Sequence, residues 1–501
     1  MQSIIQSNSV SSTVEDGTLE LYPDEWGASS FDPTNERKVL DLFDHYVANH
    51  MPAHLIYLGP GSQRRIVGRE ELATFIKPRT PQNGEIAKIK SRQDAIRELV
   101  KPALDYAIFS HRWCREGEPT FDDIRNGREY DNDGFQKLSK FCEKAREMGY
   151  KLAWSDTCCI DKTSSVELDE AIRSMFRWYR NAAICIVHLA ESLNVEQMKN
   201  DPWFTRGWTL QELLAPLSIK FFNKQWSPML CCMGLNNDKN DDPFMSDIST
   251  ITGIPIPHLR HFSPGLNHIR EKMVWASKRT TTRIEDAAYS LVGIFDVSVP
   301  TAYGEGERAF HRLVEAITER CDEWEMFAWA GPSSSHEYST AIPRSPRCYS
   351  SFDASNFPQE RKDAQNVEVH GDRNFVFMRE GLQIKLAIRS GDLKPHHGGT
   401  YQFVEPPRPG MTASFAPVVV QTSRSMEDNY EFALGIVNYE RTEQRGKESG
   451  MLYPQKNYLC FLLGRSKEEK VFHKVNTSNV LTVRTTFQGW GSFEPLVTVW
   501  L

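Results

Sequence analysis

The stretch YAIFSHRW at residues 106–113 joins an apolar run to a polar end. The apolar residues 106–109 predict a buried strand that ends near Ser110. Apolar residues at helical spacing over 135–148 then predict a helix, and residues 151–160 predict a second strand. This strand–helix–strand order predicts parallel pairing. Because ligands bind at the carboxyl ends of parallel strands, we expect a site directly after Ser110.

The alternation of strands and helices continues along the chain. Ser164, with Glu167 three residues later, predicts a capping box at the start of the next helix. Residues 183–189 predict a third strand, 208–214 a short helix and 219–222 a fourth strand. Elements of this length in this order predict an α/β fold, in which helices cover both faces of a parallel sheet.

The segments that flank this core show other patterns. Residues 1–30 are polar and aperiodic, so we expect a flexible lead-in, followed by a helix from about Asp32 to Asn49. The segment 236–243 is dense in Asn, Asp and Lys and is interpreted as an exposed loop. Residues 284–294 and 307–318 predict helices of a helical extension.

Beyond residue 329 the composition changes. A Gly-Pro-Ser run at 331–335 is typical of a linker, and short β-rich segments then alternate with Gly and Pro turns. We therefore expect a C-terminal β-rich domain at 330–501, after a lead and helix at 1–50 and a main domain at 51–325 whose core spans about 104–225.

Composition excludes several classes of protein. The 501 residues are enough for two or three domains, and the formal net charge of -7 disfavours general binding to nucleic acid. No secretory signal and no apolar stretch long enough to cross a bilayer is present, which predicts a cytoplasmic protein without a membrane span. The ten cysteines lack the C-x-x-C spacing, so neither disulfides nor a bound metal is expected.

Three later segments stand in a fixed order after YAIFSHRW: WSDTCCID at 154–161, WTLQEL at 208–213 and TTTRIED at 280–286. Together the four segments resemble the HET domain of fungal vegetative-incompatibility proteins, over roughly residues 51–320. That family triggers programmed cell death after non-self recognition. Its sheet is in turn similar to that of TIR domains, so the resemblance implies a TIR/flavodoxin-like parallel sheet flanked by helices.

The resemblance also implies a site. In NAD-cleaving TIR domains the glutamate of the short helix is catalytic, and that role falls on Glu212. A fixed carboxylate stabilises the oxocarbenium-like ribose that forms as nicotinamide leaves NAD+. NAD+ is then a substrate, and no permanently bound cofactor is expected. The residues expected to bind it are Ser110, His111, Arg112, Trp113, Asp156, Arg206 and Trp208.

Each assignment has a plain structural alternative. A glutamate in the first turn of a short helix is commonly a surface residue that the helix dipole favours. Trp208 could belong to the core instead of walling a pocket. Arg112 and Arg206 could pair with Asp156 or Asp161 instead of holding a pyrophosphate.

Three further patterns bear on the chemistry of the chain. His111 is better explained as a hydrogen-bonded structural histidine than as a catalytic base, because no G-x-S-x-G motif and no orienting group accompany it. The bare G-x-G at 303–307 is interpreted as the start of a helix. Cys158 and Cys159 are expected on opposite faces of the second strand.

Two functions from different classes remain open. The first is a heterokaryon-incompatibility effector that forms a homo-oligomer on activation and cleaves NAD+. The alternative is a non-enzymatic death-signalling scaffold that acts through self-association. Thr209 and Gln211 stand where many TIR domains have Cys and Asp, which favours the scaffold. The protein that triggers either response is unknown from the sequence.

Overall fold

The computed structural model describes residues 31–60, 64–82, 84–230, 236–321, 323–335, 340–350, 375–378, 381–406, 415–422, 430–444, 446–469, 471–486 and 492–501. The lead-in expected at residues 1–30 lies outside the described residues.

A six-stranded mixed sheet organises the N-terminal part. Its strands are β1 (His54–Leu58), β2 (Arg64–Gly68), β3 (Tyr106–His111), β4 (Leu152–Trp154), β5 (Ile184–His188) and β6 (Ile219–Phe222), in the spatial order β2-β1-β4-β3-β5-β6. Strands β3 to β6 are parallel, as predicted. The expectation of a wholly parallel sheet was wrong, because β1 and β2 form a hairpin that pairs antiparallel with β4.

Helices cover the sheet and extend the fold beyond it. They are α1 (Glu36–His50), α2 (Arg69–Phe75), α3 (Arg92–Ala95), α4 (Lys101–Leu104), α5 (Phe121–Arg125), α6 (Asp133–Glu147), α7 (Ser165–Asn181), α8 (Thr209–Leu214), α9 (Asp242–Thr252), α10 (Ile256–Arg260), α11 (Ile269–Ser277), α12 (Asp286–Tyr289), α13 (Val292–Phe295) and α14 (Arg308–Thr318). A π-helical turn, Ile96–Val100, links α3 to α4, and 3₁₀ turns include Val195–Asn200 and Pro202–Thr205.

Three predicted helices appear with altered ends. Helix α1 begins later than Asp32, because the side chain of Asn35 accepts the Lys38 N–H and caps the first turn. Ser164 caps α7 as predicted, but the capping box is only half formed, since the Glu167 carboxylate accepts the N–H of Asp161. The single helix predicted over 284–294 is divided into α12 and α13.

The second strand is shorter than predicted. It ends at Trp154, and the backbone turns so that Cys159 N–H donates to the Ser155 carbonyl, 2.9 Å away. Cys158 and Cys159 therefore lie in a turn and not in the strand, and both are buried. The expectation that they face opposite sides of a strand was wrong.

The segment 236–243 is exposed at both ends, as its composition suggested, but its centre, Asp238 and Lys239, is buried against the outer edge of β6. Asn237 Oδ1 accepts the N–H of Ile219 at 3.0 Å, and Asp238 Oδ2 accepts that of Phe221 at 2.8 Å. Asp238 also forms a buried ion pair with Lys220 at 2.7 Å. Asp238 is buried because its carboxylate satisfies a backbone donor of the edge strand and pairs with a lysine.

The TTTRIED segment stabilises the turn that precedes α14. The Glu285 carboxylate accepts the N–H groups of Gly304 and Gly306 at 2.8 and 3.1 Å. Both glycines have positive φ (99° and 62°), which other residues rarely adopt. The turn leads directly into α14, so the interpretation of residues 303–307 as the start of a helix is confirmed.

An antiparallel sheet forms the C-terminal part. Its strands are β7 (Phe375–Met378), β8 (Gly381–Pro395), β9 (Tyr401–Val404), β10 (Val418–Val420), β11 (Tyr430–Ile436), β12 (Glu440–Gln444), β13 (Lys447–Leu452), β14 (Asn457–Ser466), β15 (His473–Lys474), β16 (Leu481–Arg484) and β17 (Ser492–Trp500). The prediction of β-rich structure after residue 330 is thus confirmed.

Alternate residues of β14 belong to two different apolar clusters. Tyr458, Cys460 and Leu462 pack into a core formed by the C-terminal strands alone. Leu459, Phe461 and Leu463 join the large cluster that also contains the core of the six-stranded sheet. At this contact the rings of Phe327 and Phe461 meet edge to face, with centroids 5.9 Å apart. The large cluster therefore extends from the N-terminal part into the C-terminal part, which also has a core of its own.

None of the described helices combines the length and the hydropathy needed to cross a membrane.

Candidate functional site

The expected site lies where the two central parallel strands end. Strands β3 and β5 are neighbours, and His111 on one pairs in register with His188 on the other. Among the four parallel strands the spatial order is second, first, third, fourth, so the chain reverses direction across the sheet between β3 and β5. Crevices at such reversals, at the carboxyl ends of strands, are the usual ligand sites of open α/β sheets.

Glu212 contacts the end of β3 from helix α8. Ser110 Oγ donates to Glu212 Oε2 at 2.5 Å and accepts from Trp203 Nε1 at 2.9 Å. Ser110 is fully buried and Glu212 is only 5% exposed. The surface alternative for Glu212 was therefore wrong, and the structure joins two of the predicted site residues. Trp203 completes this trio and was not predicted.

Burial dominates the electrostatics of Glu212. Desolvation raises its pKa to about 8, and the nearby Asp156 carboxyl group adds to the rise. The Ser110 hydrogen bond and the charges of Arg206 and Arg279 oppose it without cancelling it. The pKa of Asp156 is also raised, mainly by desolvation. Two carboxyl groups with raised pKa values thus lie close together.

His111 and Trp113 surround Asp156. Trp113 Nε1 donates to Asp156 Oδ2 at 2.8 Å, so a second predicted pair is brought together. His111 Nε2 lies 3.9 Å from Asp156 Oδ1, and neither ring nitrogen has a hydrogen-bond partner in the described part of the chain. The expectation of a hydrogen-bonded histidine was wrong. Burial and the nearby Lys137 lower the His111 pKa, so the ring is neutral at pH 7.

The predicted arginines have different environments. Arg112 pairs with Glu191 and with neither of the expected aspartates. For the Arg206 guanidinium, the described residues provide no ion pair, and it lines a cavity of about 260 Å³ together with Arg112 and Trp208. The Trp208 side chain lies near the Asp286 carboxyl group and partly offsets the rise in its pKa that desolvation causes. Trp208 thus walls a cavity, but Glu212 one turn later points instead to Ser110.

A larger cavity of about 760 Å³ opens on the other side of Arg112. We call it the basic cavity, and it is lined by Arg64, Arg112, Trp113, Cys114, Arg115, Glu129, Tyr130, Asp133, Phe135, Gln136, Lys137, Ser139, Lys140, His188, Ala190, Lys224 and Trp226. Apart from Arg112 and Trp113, the sequence interpretation missed these residues. They come from helix α6, from strands β2 and β5 and from several loops, and no local motif marks them. Glu212 lines neither of the two cavities.

The match to known families agrees with this geometry. Residues 106–197, from β3 through the segment after β5, match the Heterokaryon incompatibility protein (HET) family. This stretch of the chain is therefore similar to HET domains, in agreement with the resemblance of its four segments.

One particular relative is the vegetative incompatibility protein HET-E-1 of Podospora anserina, to which 225 residues are 44% identical. The match covers 42% of this chain and 16% of that relative, so the chain spans only a small part of the relative's length. No solved structure matches the chain.

Proposed function

We propose that this protein acts in heterokaryon incompatibility and that its HET domain triggers cell death by cleaving NAD+, with Glu212 as the catalytic carboxylate. The observation that supports the proposal best is the contact between Glu212 and Ser110 at the carboxyl edge of the parallel sheet. The second-first-third-fourth strand order is that of flavodoxin-like sheets, which supports the TIR/flavodoxin-like assignment. The name of the relative supports incompatibility.

The chemistry requires one well-placed anion. The bond between ribose C1′ and the nicotinamide nitrogen breaks, its electron pair goes to that nitrogen, and water then adds to C1′ with loss of a proton. The ionised Glu212 would stabilise the positive charge that develops on the ribose. Ser110 positions the carboxylate. Arg206 and Arg112, which line the adjoining cavity, would hold the pyrophosphate.

Access to Glu212 requires a movement. The residue is buried, and the adjoining cavity is lined instead by residues of the preceding segment 201–208, among them Arg206 and Trp208. We propose that self-association displaces this segment and brings Glu212 into contact with NAD+. An isolated chain would then be inactive, as the expected homo-oligomer on activation implies.

The test is nicotinamide release from NAD+ by the purified protein, with and without an oligomerising fusion. Glu212→Gln should lower the rate by about 10² to 10³, because it removes one preorganised electrostatic contact. Gln resembles the protonated glutamate in shape, so the fold should persist. Glu196→Gln, at an exposed position of a 3₁₀ turn, is the matched control. Release that survives Glu212→Gln would reject the residue assignment.

A non-enzymatic scaffold is the second candidate, and one observation favours it. Glu212, Ser110 and Trp203 form a closed, buried network that fastens α8 to β3. In that function the glutamate would stabilise the fold and self-association would transmit the signal. Absence of nicotinamide release from the assembled protein would support this candidate over cleavage.

A further inference from the structure

We propose that the basic cavity binds the diphosphate group of a nucleotide whose base stacks on Trp226. This goes beyond the proposed cleavage, because such a ligand can bind here whether or not Glu212 acts on it. The cavity's volume of about 760 Å³ lies within the range of small-molecule sites, roughly 300–1,000 Å³.

The charge of the lining favours an anion. Six basic residues and two acidic ones line the cavity. Four of the basic side chains have carboxylate partners: Arg64 with Glu129, Arg112 with Glu191, Lys137 with Glu118 and Lys140 with Glu143. Arg115 and Lys224 have no ion pair within the described part of the chain. Two unpaired cations facing one cavity complement two phosphate charges.

A helix terminus adds to the positive potential. The first turn of α6, a helix of 15 residues, lines the cavity through Asp133, Phe135, Gln136 and Lys137. Backbone N–H groups at a helix N-terminus carry partial positive charge. The Phe135 N–H itself donates to Asn132 Oδ1 at 3.0 Å, so this terminus contributes electrostatic potential and not a direct hydrogen bond to the ligand. The cavity therefore combines a helix terminus with side-chain cations from two loops.

A buried histidine supplies an independent observation. His188 lines the cavity at the end of β5 and is only 7% exposed. Its ring lies near the Lys224 backbone, but at least one of its two nitrogens has no hydrogen-bond partner among the described residues. Burying such a group costs free energy unless a ligand completes its bonding. Neither nitrogen is exposed in this conformation, so donation to a phosphate oxygen requires the ring to turn towards the ligand.

Trp226 is fixed in position for stacking. Its backbone has φ of 61°, which is unusual for a bulky residue. The Asn223 side chain holds the turn by accepting the N–H groups of Gln225 and Ser227, both at 3.0 Å. The indole lies parallel to the His188 ring, with centroids 4.3 Å apart. Strained residues held by their surroundings cluster at binding sites, and aromatic rings stack on bases.

The test is equilibrium binding of ADP, pyrophosphate and adenosine to the full chain, by calorimetry and tryptophan fluorescence. We expect ADP to bind more tightly than either of the other two. Lys224→Gln and Arg115→Gln should each weaken ADP binding roughly tenfold, through loss of a charged hydrogen bond. Lys199→Gln, an exposed lysine on another segment, should leave it unchanged. Trp226→Leu should weaken ADP but not pyrophosphate, and retained pyrophosphate binding shows that this variant is folded.

Any of four results would overturn the inference. They are the absence of ADP binding, ADP affinity that Lys224→Gln and Arg115→Gln leave unchanged, adenosine affinity equal to that of ADP, and pyrophosphate affinity equal to that of ADP. The nicotinamide assay keeps the two proposals apart. ADP binding without nicotinamide release supports this site and rejects cleavage. Nicotinamide release without ADP binding does the reverse.

Discussion

Glu212 is mostly protonated at pH 7, since burial raises its pKa to about 8. The buried environment that holds the Glu212 carboxyl group in position therefore also keeps it protonated. If its anion is needed for cleavage, the rate must depend on how much of it is ionised. The protonation state of one residue thus connects the energetics of the fold with the proposed chemistry.

Because bound NAD+ would take the place of the displaced segment and keep Glu212 shielded from water, we expect cleavage by the assembled protein to rise about tenfold per pH unit below about pH 8 and to level off above it. The reason is that the ionised fraction of Glu212 rises in this way below its pKa of about 8. Initial rates of nicotinamide release at saturating NAD+ between pH 6 and 9 measure the profile. A rate that is flat between pH 6 and 8 would contradict the role of this carboxylate.

The same residue predicts a dependence of stability on pH. The folded state keeps a proton on Glu212 that the unfolded state, with the ordinary pKa of 4.5, releases. The free energy of unfolding should therefore fall as pH rises from 4.5 towards 8, by up to about 1.4 kcal/mol per unit from this group. Urea unfolding at pH 5.5 and 7.5 should show that the free energy of unfolding decreases less between these pH values in Glu212→Gln than in the unmodified protein. An equal decrease in the free energy of unfolding in both proteins would show that Glu212 is not the source of the pH dependence.

Glu212 and Ser110 could be found from the sequence because each lies in a segment with a recognisable pattern. Trp203, their third partner, lies in a 3₁₀ turn outside those segments. His188 and Trp226 were missed for a similar reason, since a contact between an imidazole and an indole 38 positions apart leaves no periodic pattern. The sequence shows the chemistry of single residues, but it does not show which distant residues contact each other.

At the scale of elements, Gly207 lets the chain before α8 pass close to the TTTRIED segment. Its N–H donates to the Thr280 carbonyl at 2.8 Å. A Cβ atom at position 207 would lie 2.4 Å from Thr281 Cγ2, far inside normal contact. This glycine therefore joins the segment that carries Trp208 and Arg206 to the helical extension.

Gly207→Ala should destabilise the protein by about 1–3 kcal/mol, as overpacking commonly does. Thr281→Ser removes the clashing methyl group, so the double variant should recover most of the loss. Gly84→Ala serves as control, because a Cβ atom there meets nothing within 4 Å. Chemical denaturation gives the free energies. A double variant as unstable as Gly207→Ala alone would show that the clash is not the cause.

Elements were predictable where their hydrophobic period was regular. Strands β3, β5 and β6 and helices α6 and α7 follow their apolar patterns. The hairpin of β1 and β2 was not foreseen, because two five-residue strands give little periodicity. The exposed loop predicted at residues 236–243 is correct only in part, because composition reports polarity and a polar side chain that satisfies an edge strand, such as that of Asp238, is buried all the same.

At the scale of the whole molecule, the separate C-terminal domain expected at 330–501 stays a prediction. The alternation along β14 sends one face of that strand into the C-terminal core and the other into the core of the N-terminal part. The sequence pattern predicts that both faces of such a strand are buried, but it does not predict which elements each face packs against. Only the tertiary packing assigns Phe461 to the contact with Phe327.

The fragment 330–501 expressed alone should therefore expose Leu459, Phe461 and Leu463. We expect it to bind the dye ANS and to aggregate, whereas the full chain should do neither, because exposed apolar patches of this kind promote association. Light scattering and dye fluorescence at matched concentration are the measurements. A monomeric fragment that does not bind the dye would show that the C-terminal part folds as an independent domain.

The side chains of Asn237 and Asp238 occupy the outward N–H groups of β6. Consequently this border of the sheet is closed to β-augmentation, in which one copy would donate a strand to the next. Any polymer that this protein builds on activation must then grow from helical surfaces or from the hairpin at the opposite border, so its repeat would not be a continuous sheet running through β6.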